Sequence, residues 1–250
     1  MASWILLAVP IVLLLIGLAI WRFIAAVRKS RLTGTGEPVV KLTYTVAVIW
    51  AAGCAIGAVI AVLGTLVPAQ VGITFPVMDF WPKLPDELRI EGPSATLESG
   101  GFTTAVGVVT GLSLPVRICW AISQALDALV PGAIAAFIAV ACAQLLKGRA
   151  FTEVVSRMAM VTAVIVAVGG FAAQVLGDVA GTMAAHEVLQ MTGASWNNTN
   201  PDASVDDWWP RPGFNLSLPF WPLAAGLGFA ALAAIFRYGS RVQRDTEGLV

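Results

Sequence analysis

Charge is what this chain has least of: Asp, Glu, Lys and Arg together make up 12% of its 250 residues. A soluble domain carries about a quarter, because it must clothe its surface in water, so an ordinary soluble fold is excluded. Histidine occurs once, and His186 with its neighbour Glu187 falls far short of the three or four ligands of a zinc site. The plainer reading of His186 is a helix-end side chain in solvent. No glycine-rich phosphate loop, H-E-x-x-H or G-x-S-x-G motif is present, so catalysis has no support and neither a metal nor a cofactor is expected. The three cysteines, Cys54, Cys119 and Cys142, fall at different expected depths, and small apolar fillers are their default role. The formal net charge is zero, which argues against a polyanion partner, and no direct nucleic-acid binding is expected.

What the chain has instead is apolar surface, with 58% hydrophobic residues and a mean hydropathy of +0.82. A helix needs about 20 mostly apolar residues to cross a bilayer core of about 30 Å. Five stretches qualify, at roughly Trp4–Val27, Tyr44–Val67, Ala125–Leu146, Met158–Gly177 and Pro219–Phe236. The first lacks a preceding basic region and is followed by Arg22, Arg28, Lys29 and Arg31, so it reads as a retained helix rather than a secretory signal. The expected fold class is membrane α-helical, with five transmembrane helices and a small β-containing extracytoplasmic cap. Residues 1–43 would form an additional N-terminal transmembrane helix with a cytoplasmic basic loop. Residues 44–250 would form a four-helix membrane domain with outer segments 68–119 and 182–218 and a cytoplasmic tail, 237–250.

Five spans sort the charges by side. Lys and Arg prefer the cytoplasmic face, and Arg22, Arg28, Lys29, Arg31, Lys41, Lys147, Arg149, Arg157, Arg237, Arg241 and Arg244 all fall on one side. Lys83, Arg89, Arg117 and Arg211 fall opposite, with most of the acids. A multi-pass protein of the cell membrane is expected, with its N-terminus outside and its C-terminus cytoplasmic. Trp4, Trp21, Trp120, Trp221, Tyr44 and Tyr238 lie at span ends, as interfacial aromatics do, while Trp50 lies inside a span and reads as helix packing.

The first outer segment contains short β-like runs at Ile73–Val77, Leu88–Glu91 and Ala95–Glu98, and Phe102–Leu114 could be a further strand or the start of a membrane-surface segment. Pro115 suits the first turn of the following helix. The second outer segment, with Trp196–Pro201 and Asp206–Pro210, reads as loop, and the alternation in Phe214–Leu218 predicts a half-buried strand. Asn197-Asn198-Thr199 matches a glycosylation acceptor, a pattern common by chance.

Two carboxylates fall within the apolar spans, where a charge costs at least ~2.5 kcal/mol at the centre and usually has a function. Asp127 and Asp178 lie at matching depths, with Gln174 one turn below Asp178, and could flank one outward-facing crevice. The functional reading is a proton or cation site, or a gating contact. The plainer one leaves both at the interface, hydrated or pairing with Arg117, and serving only orientation. Pro131-Gly132 is the one candidate break in an otherwise apolar set of spans, and transporters usually rely on such breaks. Gly53–Gly57 and Gly177–Gly181 each read G-x-x-x-G, for which packing within the chain is a better account than a dimer seam.

Lys147-Gly148-Arg149-Ala150-Phe151-Thr152 resembles a basic-Gly-x-x-Phe-Ser/Thr connector, and Phe236 to Val250 resembles a Phe-Arg-x-Gly-x-x-Leu-Gln-x-Asp-x-Glu-x-x-Val ending. Together, over roughly Tyr44 to Val250, they resemble the bacterial membrane family called domain of unknown function 2975. This chain departs from it in its additional N-terminal span, in Val242 where a longer aliphatic residue is usual, and in Val154-Val155 where polar residues often follow. The resemblance implies an integral membrane protein of bacteria without an assigned activity. Family members are often encoded beside small helix-turn-helix transcription regulators, which implies a membrane sensor or regulatory partner protein as the leading reading. A cytoplasmic partner surface would then comprise Arg149, Phe151, Arg237, Arg241 and Arg244. The alternative is a small transporter or channel using the membrane carboxylates. Beyond the lipid bilayer and such a regulator, no partner, ligand or oligomeric state is indicated.

Overall fold

A computed structural model describes residues 37–82, 92, 94–95, 97–149, 151–193, 205 and 208–247, with side chains up to residue 242. In chain order these form helix α1 (Glu37–Leu66), strands β1 (Gln70–Phe80) and β2 (Phe102–Thr110), helix α2 (Leu114–Leu146), helix α3 (Glu153–Val164), a π-helical turn (Ile165–Gly169), helix α4 (Gly170–Leu189) and helix α5 (Trp221–Glu247). Four helical stretches are long and apolar enough to cross a membrane: α1, α2, α3 through α4, and α5. The expected first span, Trp4–Val27, lies outside the described residues, as do the Leu88–Glu91 strand, Trp196–Pro201 and Asn197–Thr199.

The helices run past the apolar stretches that announce them. α2 begins at Leu114 with Pro115 in its first turn, where the missing N–H costs nothing. It continues unbroken through Pro131, so the expected break at Pro131-Gly132 does not occur. A proline loses one backbone bond there, but the helix on either side is long enough to hold its direction. α3 starts on Thr152, whose hydroxyl accepts a hydrogen bond from the Val155 N–H at 3.4 Å, a standard N-cap. Its irregularity is instead the π turn that carries it into α4.

The described residues fold into two compact units that share helices: those from 37 to 55, 131–166 and 224–247 in one, and those within 56–130 and 167–223 in the other. The second unit contains the sheet. β1 and β2 pair antiparallel, Val71 opposite Val109, Ile73 opposite Gly107 and Phe75 opposite Ala105. Alternation puts Val71, Ile73, Phe75 and Val77 on one face, where they are buried with Leu112, Val116, Ala184, Ala185 and Leu189 from the flanking helices. Phe102 to Thr110 is therefore strand rather than membrane-surface segment, and Ile73–Val77 lies within β1. Two other strand expectations fail. Residues 94–95 and 97–98 are bends and coil, and 213–219 is extended but unpaired beyond a single bridge of Val77 to Pro212. Around that bridge, Met78 N–H donates to Arg211 O (3.0 Å) and Gly213 N–H to Pro76 O (3.1 Å), after which the alternating residues turn away from the ladder.

The first unit has a smaller core: Phe137 from α2, Val155 and Ala159 from α3, and Ala233 from α5, with Phe229 and Phe236 packed against it. α1 keeps a large apolar face uncovered, Ile49 being 66% and Ile60 63% exposed. Such exposure is untenable in water and ordinary in lipid. Trp50, expected to pack between helices, is 61% exposed among the described residues. Gly53 and Gly57 have no neighbour within 4 Å, whereas Gly177 lies against Ser123 and Gly181 against the β1 backbone at Thr74. Among the described residues, only the second G-x-x-x-G therefore makes a packing contact.

Candidate functional site

The second unit encloses a cavity of about 570 Å³ between β1, the start of β2, α2, α4 and residues 213–215. Asp127 and Asp178 both line it, with Gln174, Gln124 and Asp79. The matching depths read from the spans thus correspond to a shared cavity, but the two carboxylates have different surroundings. Asp178 is fully engaged. One oxygen accepts from the Ser217 N–H (2.6 Å) and hydroxyl (2.7 Å), and the other accepts from the Gln174 side-chain amide (3.0 Å). Asp127 has no hydrogen-bond or ion-pair partner among the described residues. Neither pairs with Arg117, which donates instead to the Thr65 carbonyl (2.7 and 3.1 Å) and the Pro68 carbonyl, bracing the end of α1 and the turn into β1.

The cavity walls are positioned by side chains that span counting could not single out. Trp120 donates its ring N–H to Gly72 O at 3.1 Å, tying α2 to β1. The buried Ser123 hydroxyl donates to Ala173 O at 2.8 Å, tying α2 to α4 in the space left by Gly177. Glu187 accepts from both the N–H (2.9 Å) and the hydroxyl of Ser113, so this carboxylate orders the start of α2. His186 is exposed in the last turn of α4, as expected, and no group of three or more metal-binding side chains exists among the described residues. The residues 211–217 that border the cavity are tied at three places: to β1 through Arg211 and Gly213, to Thr182 through Asn215, and to Asp178 through Ser217. Chemically, the cavity offers two carboxylates without a partner among the described residues, Asp127 and the exposed Asp79, together with amide groups and a third carboxylate, Asp178, already committed to holding its rim.

On the first unit, the two short motifs behind the family resemblance touch. Gly148 ends α2 with φ +70°, a left-handed conformation that favours glycine. Three residues on, the Phe151 ring packs at 6.1 Å from the Phe236 ring and directly against Gly239. A side chain at 239 would overlap the Phe151 ring. Thr152 then caps α3. Gly148, Phe151 and Thr152 in one motif, and Phe236 and Gly239 in the other, therefore have joint structural roles. Phe151 is an anchor within the fold, although its ring keeps an exposed edge. Arg149, Arg237 and Arg241 are exposed, and the Arg244 side chain lies outside the described residues. All three cysteines are free.

Comparison of the chain with protein-family models, with curated proteins and with solved structures finds no match.

Proposed function

We propose that this chain is a non-enzymatic, multi-pass bacterial membrane protein of the kind called domain of unknown function 2975, working as a sensor or regulatory partner. In this reading Trp4–Val27 supplies a fifth span, the N-terminus and the sheet-bearing unit lie outside, and the basic inner face passes a signal to a small helix-turn-helix protein. The observation that carries it is the cavity of about 570 Å³ with the unpartnered Asp127 in its wall and a tethered segment, 211–217, along its rim. A carboxylate without a partner suits a small cationic or amine ligand, and a rim held by a few surface hydrogen bonds suits a segment whose order responds to occupancy. The charge asymmetry along the sequence supports the orientation.

Transport is the second reading, because three carboxylates, Asp79, Asp127 and Asp178, line one cavity. Against it, Asp178 is committed to Ser217 and Gln174, which leaves Asp127 as the one carboxylate on the helices of the cavity available to a moving ion, Asp79 being exposed on β1. Co-elution of the full-length protein with a small helix-turn-helix protein from the same cells, weakened by Arg149→Ala with Arg244→Ala, is the expected result. No complex under any lipid condition would remove the partner reading. Proton or sodium flux into proteoliposomes that Asp127→Asn abolishes would replace the sensor by a transporter. A reporter active only in the cytoplasm, fused after Val250, tests the orientation and should be active.

A further inference from the structure

The first unit contains a second and larger cavity, about 980 Å³, in the groove between α3 and the C-terminal half of α5. Its floor is set by the Ser156 hydroxyl donating to Ala233 O at 2.9 Å, which locks the two helices together. One end is basic. Arg237 and Arg241 stand one helical turn apart and so share a face of α5, and Arg157 reaches in from α3. Glu153 also lines the groove, but it is occupied by Arg157 at 3.1 Å. Three guanidinium groups against one carboxylate leave the groove with two positive charges in excess. Among the described residues Arg237 and Arg241 have no side-chain hydrogen-bond or ion-pair partner. The remaining wall is apolar: Met160, Ala233 and Ala234, with the exposed Tyr238 ring at the basic end.

We propose that this groove binds an anionic phospholipid, its phosphate held by Arg237, Arg241 and Arg157 and the first part of an acyl chain laid against Met160, Ala233 and Ala234. The guanidinium fork matches phosphate oxygens in pairs, which makes arginine the suited residue for this contact. Size separates a lipid from free phosphate. A water takes about 30 Å³ of liquid volume, and a phosphate ion fills only a few such spaces. Most of the groove would stay empty around inorganic phosphate, and its apolar wall would serve no purpose. A head group with its attached chain uses both ends. Tyr238, apolar in its ring and polar at its tip, suits the boundary between them.

The basic residues on this side of the chain also follow the general preference of lysine and arginine for one membrane face, so the test must separate a site from a field. The full-length protein in phosphatidylcholine nanodiscs is titrated with phosphatidylglycerol, and bound lipid is read by native mass spectrometry. Each guanidinium makes charge-assisted hydrogen bonds to the phosphate that glutamine cannot replace, so Arg237→Gln with Arg241→Gln should weaken phosphatidylglycerol retention about thirtyfold. Arg149→Gln with Lys147→Gln, which removes as much charge outside the groove, should leave it within about twofold. Ala234→Trp keeps every charge but fills the apolar wall, and it should also expel the lipid. Equal losses in the two charge variants, the outcome expected of the site-independent surface attraction of lysine and arginine, would reduce the effect to general electrostatics and overturn the site. So would retention unaffected by Ala234→Trp, or displacement of phosphatidylglycerol by millimolar inorganic phosphate, which would make the occupant a free ion.

Discussion

Asp178→Asn isolates the tether at the rim of the cavity that Asp127 and Asp178 line. In the native protein one carboxylate oxygen accepts two hydrogen bonds from Ser217, at 2.6 and 2.7 Å, while the other accepts from Gln174 at 3.0 Å. Asparagine keeps one acceptor oxygen and replaces the other by an NH2 donor. If the oxygen stays toward Ser217, the charge is lost and Gln174 faces a second donor. If it turns toward Gln174, the Ser217 N–H faces a donor. Hydrogen bonds to a charged group contribute about 1.5–3 kcal/mol each when sheltered, but Ser217 is exposed, so the tether as a whole is put at about 1–2 kcal/mol. Because 1.4 kcal/mol is a factor of ten, the rim residues should open about five- to thirtyfold more often. Amide hydrogen exchange of 213–219 in nanodiscs reads this directly, with β1 as an internal control that should change little. Ser217→Ala should give part of the effect, and the double variant should add less than the sum, because both substitutions act on one contact. Exchange of 213–219 that is unchanged in Asp178→Asn, or raised equally by Asp127→Asn, would refute the assignment of Asp178 as the tether and Asp127 as the free carboxylate.

Other consequences are sharper in kind than in size. Arg117→Gln removes donors from the Thr65 and Pro68 carbonyls and should lower the thermal midpoint in micelles, corresponding to about 1–3 kcal/mol, with partial recovery by Arg117→Lys. Gly239→Val should drive the Phe151 ring off α5 and destabilise the first unit, and Phe151→Ala in the same chain should relieve much of that loss. Because Cys54, Cys119 and Cys142 are free, a reducing agent should leave the midpoint unchanged, and a shift would reveal a bridge.

Single residues show where reading the sequence stops. Apolar length and scarce charge announce four of the spans, since a helix must be apolar over about 20 residues to lie in lipid whatever surrounds it. Ile73–Val77 was legible as strand because its alternation matches the two-residue period of a sheet with one buried face. Phe214–Leu218 has the same alternation and is not a strand: alternation reports exposure, and a ladder also needs backbone pairing, which stops at Gly213 because Asn215 and Ser217 bond instead to Thr182 and Asp178 of α4. Pro131 looked like a break because proline removes a hydrogen bond locally, yet a long helix absorbs that loss.

The sequence by itself determined that this protein has the composition of a membrane protein and which of the described helices are long and apolar enough to cross a membrane. These follow from composition and from a fixed rise per residue, and no partner residue is needed to know them. Only the tertiary structure decided that Asp127 and Asp178 line one cavity, that Asp178 is tied to Ser217 while Asp127 is free, and that Phe151 meets Gly239 across 88 positions of sequence. The reason is physical. A carboxylate's role depends on the donors within about 3 Å of it, and those donors come from segments that the fold, not the local sequence, brings together.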